Sequence, residues 1–254
     1  MIKKLLRLFI ISVILQSCAN KKDILYYQDV DKNSQNQVQY FSNKIQVNDI
    51  LYIKVSTLIT ESVEPFNILG GTGSNINVTT LKLQSYLVLE DGTIAFPLLG
   101  NIKVKGLSLI EVQNLIIKML KEKGFVKEPT VIVRVINCKV TILGEVNSPG
   151  TYSFEEQTIS INQAIGYAGG LTINGIRKDV LVIREVDGIR TYTRLDLTKS
   201  DWFNGDYYYV KQNDVIIVNP NGPKVLTAGY LTSFGALLGI VSFGIGLFLL
   251  VKNK

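Results

Sequence analysis

Histidine is absent from all 254 residues. That removes Ser-His-Asp and Cys-His catalysis and the common histidine-based zinc sites. Cysteine is scarce: Cys18 and Cys138 are the only two, too few for a disulfide framework. Charged residues make up 19% of the chain, low for a soluble domain. The formal excess is +6, but half of it comes from Lys3, Lys4 and Arg7 near the start. No dense Lys/Arg patch with interleaved aromatics follows, so nothing argues for nucleic-acid binding. The glycines of residues 70–75 read as a flexible loop and not as a phosphate loop, because no Lys-Ser/Thr follows them. What the chain does have is apolar residues, 46% of the total. That is enough for real cores in one large or two to three small units.

Residues 1–17 read as a secretory signal, a basic start followed by a short apolar run. They end in Leu15-Gln16-Ser17-Cys18, which resembles a bacterial lipobox. The resemblance implies cleavage before Cys18 and lipidation of that residue, whose acyl chains anchor by burying CH₂ groups. Residues 18–43 are polar, with Asn33-Ser34-Gln35-Asn36-Gln37 at their centre, and are expected to be a tether with little regular structure.

The folded part opens with a strand from Ile50, after an Asn48-Asp49 turn. Residues 86–98 read as a hairpin, with strands 86–90 and 93–98 around Asp91-Gly92, since glycine accepts the positive φ of a tight turn. Ser108-Leu109-Ile110-Glu111 is a capping box. Leu109, Val112, Leu115, Ile116, Met119 and Leu120 then make one apolar helix face that stops at Gly124. Residues 129–136 are β-rich. A second unit begins with a strand over 140–146 and a turn at Asn147-Ser148-Pro149-Gly150. A second capping box spans Ser160 to Gln163, and its short helix stops at Gly169-Gly170. A hairpin over 180–195 turns at Asp187-Gly188, and Val215 to Val218 is a final strand. Strands with one helix in each half make the class α+β. Val47-Asn48-Asp49-Ile50 is echoed by Gln212-Asn213-Asp214-Val215, a polar Asn-Asp turn before an apolar strand each time.

From Val225 to Val251 no residue is charged, and a membrane span needs about 20. Residues 225–251 are therefore expected to be a transmembrane helix, after a hinge at Pro220, Gly222 and Pro223. On a helical wheel at 100° per residue, Tyr230, Phe234, Leu237, Leu238, Val241, Ile245, Phe248 and Leu249 form a lipid face. Ala228, Thr232, Gly235, Gly239, Ser242 and Gly246 form a small face for helix packing or for lining a pore. Small stripes let helices approach closely in lipid. Phe243 interrupts the small face.

The segments "DGTIAFPLLGNIKVKGLSLIEVQ" (residues 91–113) and "EPTVIVRV" (128–135) resemble the polysaccharide export domain of the Wza-like outer-membrane polysaccharide export family. "GEVNSPGTY" (144–152), "INQAIGYAGGLT" (161–172) and "QNDVIIV" (212–218) resemble its SLBB domain, a β-grasp module. The resemblance implies a polysaccharide export domain over 44–137, one SLBB domain over 138–220, and the transmembrane helix beyond. It implies a lipid-anchored outer-membrane protein with periplasmic domains and Lys254 outside. Its partners would be further copies in a ring homo-oligomer, inner-membrane polysaccharide co-polymerase or export machinery, the polysaccharide and outer-membrane lipid, with no nucleic acid. No cofactor and no metal are expected. One SLBB-like unit, where larger members have two, implies a shorter periplasmic stack.

Three functions compete. The first is a subunit of an oligomeric outer-membrane channel that exports capsular or exopolysaccharide. The second is a lipid-anchored envelope adaptor that binds a protein or glycan without forming a pore. The third is a glycoside hydrolase, which needs a placed carboxylate pair. Glu155 and Glu156 are adjacent and would point opposite ways on a strand, so no catalytic residue is assigned. Tyr207, Tyr208, Tyr209 and Trp202 could stack on sugars, but aromatics in strands are more often core or interface residues. Cys138 is expected to be an inert core thiol.

Overall fold

The computed structural model describes residues 21–30, 43–58, 62–67, 78–227, 235, 238, 239, 241–244 and 251. Its folded part holds two hydrophobic cores, one from Ile45 to Val133 and one from Val140 to Val218.

The first unit starts with strand β1 (Ile50–Ser56), whose Leu51, Ile53 and Val55 point inward while Ile50, Tyr52 and Lys54 point out. This is the period-2 alternation of a strand with one buried face. A short helix α1 (Val78–Leu83) and strands β2 (Tyr86–Leu87), β3 (Thr93–Phe96) and β4 (Gly100–Lys103) follow. Helix α2 (Leu109–Glu122) begins at the expected capping box, where Ser108 Oγ accepts from Glu111 N–H at 3.3 Å and Glu111 Oε2 accepts from Ser108 N–H at 2.7 Å. Its Val112, Ile116 and Leu120 are fully buried, one side chain per turn along a single stripe. Gly124 takes φ +68° and ends the helix. Strand β5 (Thr130–Val135) closes the antiparallel sheet β2-β1-β5.

The expected 86–98 hairpin needs correction. Its turn forms, with Gly92 at φ +77° and Leu89 N–H donating to Thr93 O at 2.9 Å. The strands on either side are not partners, however. β2 pairs with β1, because Tyr86 and Val88 enter the first core and Val88 N–H donates to Asp49 O at 2.9 Å. β3 pairs with β4 across a second turn, in which Leu98 adopts φ +59°. The sequence reading missed β4.

The second unit contains β6 (Lys139–Gly144), β7 (Gly150–Ser153), α3 (Ile161–Tyr167), β8 (Gly175–Val186), β9 (Ile189–Leu195) and β10 (Val215–Pro220). The five strands form one sheet in the order β7-β6-β10-β8-β9, with β6 and β10 parallel and the other pairs antiparallel. The second capping box is present at Ser160 and Gln163, and Gly169 and Gly170 take φ +74° and +81° beyond the helix. Gly144 allows the closest approach: a Cβ there would lie 2.0 Å from Val218 O.

Two further expectations change. Residues 21–30, read as part of a loose tether, dock on the second unit. Tyr27 N–H donates to Leu197 O at 3.2 Å, Gln28 N–H donates to Thr198 O at 2.7 Å, and Asp23 pairs with Lys178 at 2.6 Å. The Tyr27 ring sits against Trp202 and Phe203, and that contact outweighs the polarity of its neighbours. The hinge at Pro220, Gly222 and Pro223 narrows to Asn221, since Pro220 ends β10 and Gly222 opens helix α4 (Gly222–Thr227). Among the described residues no helix is long and apolar enough to cross a membrane, and most of the 225–251 span lies outside those residues.

Candidate functional site

The echoed Asn-Asp turns are one structure built twice. Asn48 and Asn213 adopt φ +69° and +65°, the left-handed region that asparagine tolerates best after glycine. Asp49 Oδ2 accepts from Gln46 N–H at 2.8 Å, and Asp214 Oδ2 accepts from Lys211 N–H at 2.8 Å. Each turn then opens a strand, β1 in one unit and β10 in the other. The two turns meet at the linker. Asn137 Oδ1 accepts from Ile50 N–H at 2.9 Å, and its Nδ2 donates to Asn48 O at 2.9 Å. On the other side Gln212 Nε2 donates to Asn137 O at 2.8 Å, and Gln212 Oε1 accepts from Lys139 N–H at 2.9 Å. One asparagine thus ties the linker to the first turn, and one glutamine ties it to the second.

The twins differ in how their carboxylates are compensated. Asp214 is 0% exposed and faces Arg184, whose Nε and Nη2 reach it at 3.0 and 2.6 Å. Arg184 is further held by Asp206 O and Tyr209 O, both at 2.7 Å, and lies 4.4 Å over the Tyr207 ring. Burial raises the Asp214 pKa against the pull of Arg184. Asp49 is 4% exposed, and among the described residues no cation pairs with it. Burial pushes its carboxyl up to about 6, only partly offset by the Gln46 amide.

Around this junction lies an open cleft of about 780 Å³ between the two units. Its walls carry amides (Asn43, Gln46, Gln157, Gln212) and charges of both signs, Lys44, Arg134 and Lys211 with Glu155, Glu156 and Asp206. A smaller pocket of about 400 Å³ borders the two turns and is crossed by the Lys105–Asp187 ion pair at 3.0 Å. Asn43 Nδ2 also crosses between the units, donating to Gln157 O at 3.1 Å. Ile45, Leu109, Ile110, Val135, Phe154 and Val186 line the cleft as well, so its walls are amphipathic.

Sequence-predicted residues fall as follows. Glu155 and Glu156 are exposed on the cleft rim, where Glu156 Oε2 accepts from Glu155 N–H at 3.2 Å. Trp202 is buried, its indole donating to Asp196 O and Lys199 O at 3.1 and 3.0 Å. Tyr208 packs on Trp202 and Phe203, so these rings serve the second core. Cys138 sits at the junction, where burial and then the nearby Asp49 raise its thiol to about 11 and keep it protonated. Among the described residues no group of three or more metal-ligating side chains gathers. Cys18 lies outside the described residues, as do Ala228, Thr232 and Gly246 of the small face. So do Tyr230, Phe234, Leu237, Ile245, Phe248 and Leu249 of the proposed lipid face. Gly235, Leu238, Gly239, Val241 and Ser242 are described and are helical and exposed. Sequence reasoning missed Asn137 and Tyr27, and it named Gln212 without its bonds to the linker. The repeated Asn-Asp pair was the signal that could have led to Asn137 and to the role of Gln212.

Residues 37–136 match the family of polysaccharide biosynthesis/export proteins, and residues 138–218 match the SLBB domain. The two matches meet at Asn137. Two relatives, each named EPS I polysaccharide export outer membrane protein EpsA, are similar to part of the chain. The one from Ralstonia solanacearum is 33% identical over 97 residues, 37% of this chain and 25% of the relative. The one from Ralstonia nicotianae (strain ATCC BAA-1114 / GMI1000) is 34% identical over 115 residues, 44% and 29%. The aligned part of the chain spans less than a third of either relative's length.

Proposed function

Since the chain belongs to the outer-membrane polysaccharide export family, we propose that it is a subunit of an oligomeric channel. The channel carries capsular or exopolysaccharide from the periplasm to the cell surface. The observation that carries the reading is the order of the two matched units, export domain and then SLBB domain, joined through the clamped Asn137. In this reading Cys18 bears the lipid and residues 225–251 span the outer membrane. Gly235, Gly239, Ser242 and the other small residues pack against neighbouring helices or line the pore. The opposite face, with Tyr230, Phe234 and Leu238 among it, meets lipid. Backbone groups in lipid must be satisfied internally, which a ring of helices achieves. The protein acts as a transport component, and partners in the inner membrane supply the driving force. The closed ring consists of copies of this chain.

Deleting residues 225–251 while keeping Cys18 tests the reading against the adaptor alternative. A channel subunit loses surface polysaccharide although the protein is still made and still fractionates with the envelope. An adaptor keeps most of its export.

A further inference from the structure

The two chain ends leave the second unit from one corner, residues 172–178. On the N-terminal side, Asp23 pairs with Lys178 at 2.6 Å and the Arg177 guanidinium lies 5.4 Å over the Tyr26 ring. On the C-terminal side, Asn221 N–H donates to Asn174 O at 2.8 Å, Pro220 pairs with Gly175, and Lys224 reaches Glu145 at 4.0 Å. Cys18 is three residues before Lys21, at most about 11 Å of extended chain. The uncharged run begins at Val225, the residue after Lys224.

At this corner Ile173 points outward and is 63% exposed. Its loop is held in place: Thr172 N–H donates to Glu145 O at 3.0 Å, and Asn174 N–H donates to Thr172 Oγ1 at 3.2 Å. Arg177 Nη1 donates to Thr172 O and Gly175 O at 3.1 and 2.8 Å. The exposure of Ile173 therefore belongs to a fixed turn. Leu226, 77% exposed, lies on α4, the helix that follows the Asn221–Asn174 contact. Lys178 and Lys224 stand at this corner, paired with Asp23 and Glu145, with Asp196 also acting on Lys178, and Lys21 and Lys22 share the short helical turn of Asp23. An exposed apolar tip on a corner that carries lysines matches a bilayer interface, where apolar side chains enter the acyl boundary and cations meet anionic headgroups.

We propose that residues 172–178, with Lys21, Lys22 and Lys224, form a lipid-facing surface. It presses Ile173 into the headgroup region of the membrane to which both chain ends lead. The proposal rests on the reading of Cys18 and residues 225–251 as membrane anchors. It adds that the second unit itself touches the bilayer, with the first unit held away.

The full-length chain carrying Cys138→Ser tests it. One of two exposed isoleucines, Ile173→Cys or Ile110→Cys, is labelled with an environment-sensitive fluorophore. Each protein is reconstituted in phosphatidylethanolamine–phosphatidylglycerol vesicles whose acyl chains are brominated near the headgroup. Residue 110 lies on α2 of the first unit. The label at 173 should be blue-shifted and lose most of its emission to the bromines, while the label at 110 keeps its own. A protein that floats with the vesicles but reports water at 173 overturns the surface and leaves the anchors standing. A protein that fails to float overturns the anchor reading and the surface together.

Discussion

Asp49→Asn should stabilise the protein at neutral pH and have almost no effect near pH 4. The two Asn-Asp turns share the same amide-to-carboxylate bond, but only Asp214 faces an arginine. Asp49 must therefore hold its charge in a buried place where no cation pairs with it among the described residues, and its pKa rises from 3.8 to about 6. A carboxyl whose pKa is raised on folding contributes most when protonated. That stability is fully present below the unfolded value near 3.8 and is lost as pH rises through about 6. At about 1.4 kcal/mol per pKa unit, the shift caps the loss at about 3 kcal/mol above pH 7. Asparagine keeps an oxygen for the Gln46 amide and carries no charge. The assay is urea unfolding in detergent at pH 4, 6 and 7.5, by circular dichroism and by fluorescence of Trp202, the single tryptophan. Trp202 lies in the second core, so comparing the two signals separates the units. The variant should gain up to about 3 kcal/mol at pH 7.5 in the transition of the first unit, with the gap closing by pH 4. A gap that does not change with pH, or a variant less stable than wild type at pH 7.5, would refute the reasoning.

Asn137→Ala removes the acceptor of Ile50 N–H and the donor to Asn48 O. It should cost about 1–3 kcal/mol and speed amide exchange at Ile50, read by hydrogen–deuterium exchange. Arg184→Ala leaves Asp214 buried and uncompensated. The second unit should lose about 3–5 kcal/mol, seen as a lower urea midpoint in Trp202 fluorescence. Adding Asp214→Asn should recover part of that loss, because the stranded charge is then gone.

Features whose cause is local were legible in the sequence. Both capping boxes, the Gly124 and Gly169-Gly170 stops and the 180–195 hairpin depend on neighbours within a few residues, and they stand where the residues put them. The 86–98 hairpin failed because Tyr86 and Val88 were drawn to β1 and the first core, a tertiary preference that no turn signal reveals. β4 and β7 are four residues each, too short to display alternation. The repeated Asn-Asp pair was visible as text. Its meaning lies in Asn137, almost 90 residues from the first turn, and in Gln212, which leads the second turn and bonds back to Asn137 and Lys139 more than 70 residues earlier. The docking of residues 21–30 was hidden because its polar neighbours mask Tyr26 and Tyr27, whose partners Arg177 and Phe203 lie about 150 and 175 residues further on.

The channel stands or falls with its assembly. The direct measurement is electron-microscopic imaging and mass determination of the full-length protein extracted from membranes in mild detergent. The account predicts a closed ring of copies with a central axial opening. A stable monomer with no ring, extracted from cells that are actively exporting polysaccharide, would contradict it.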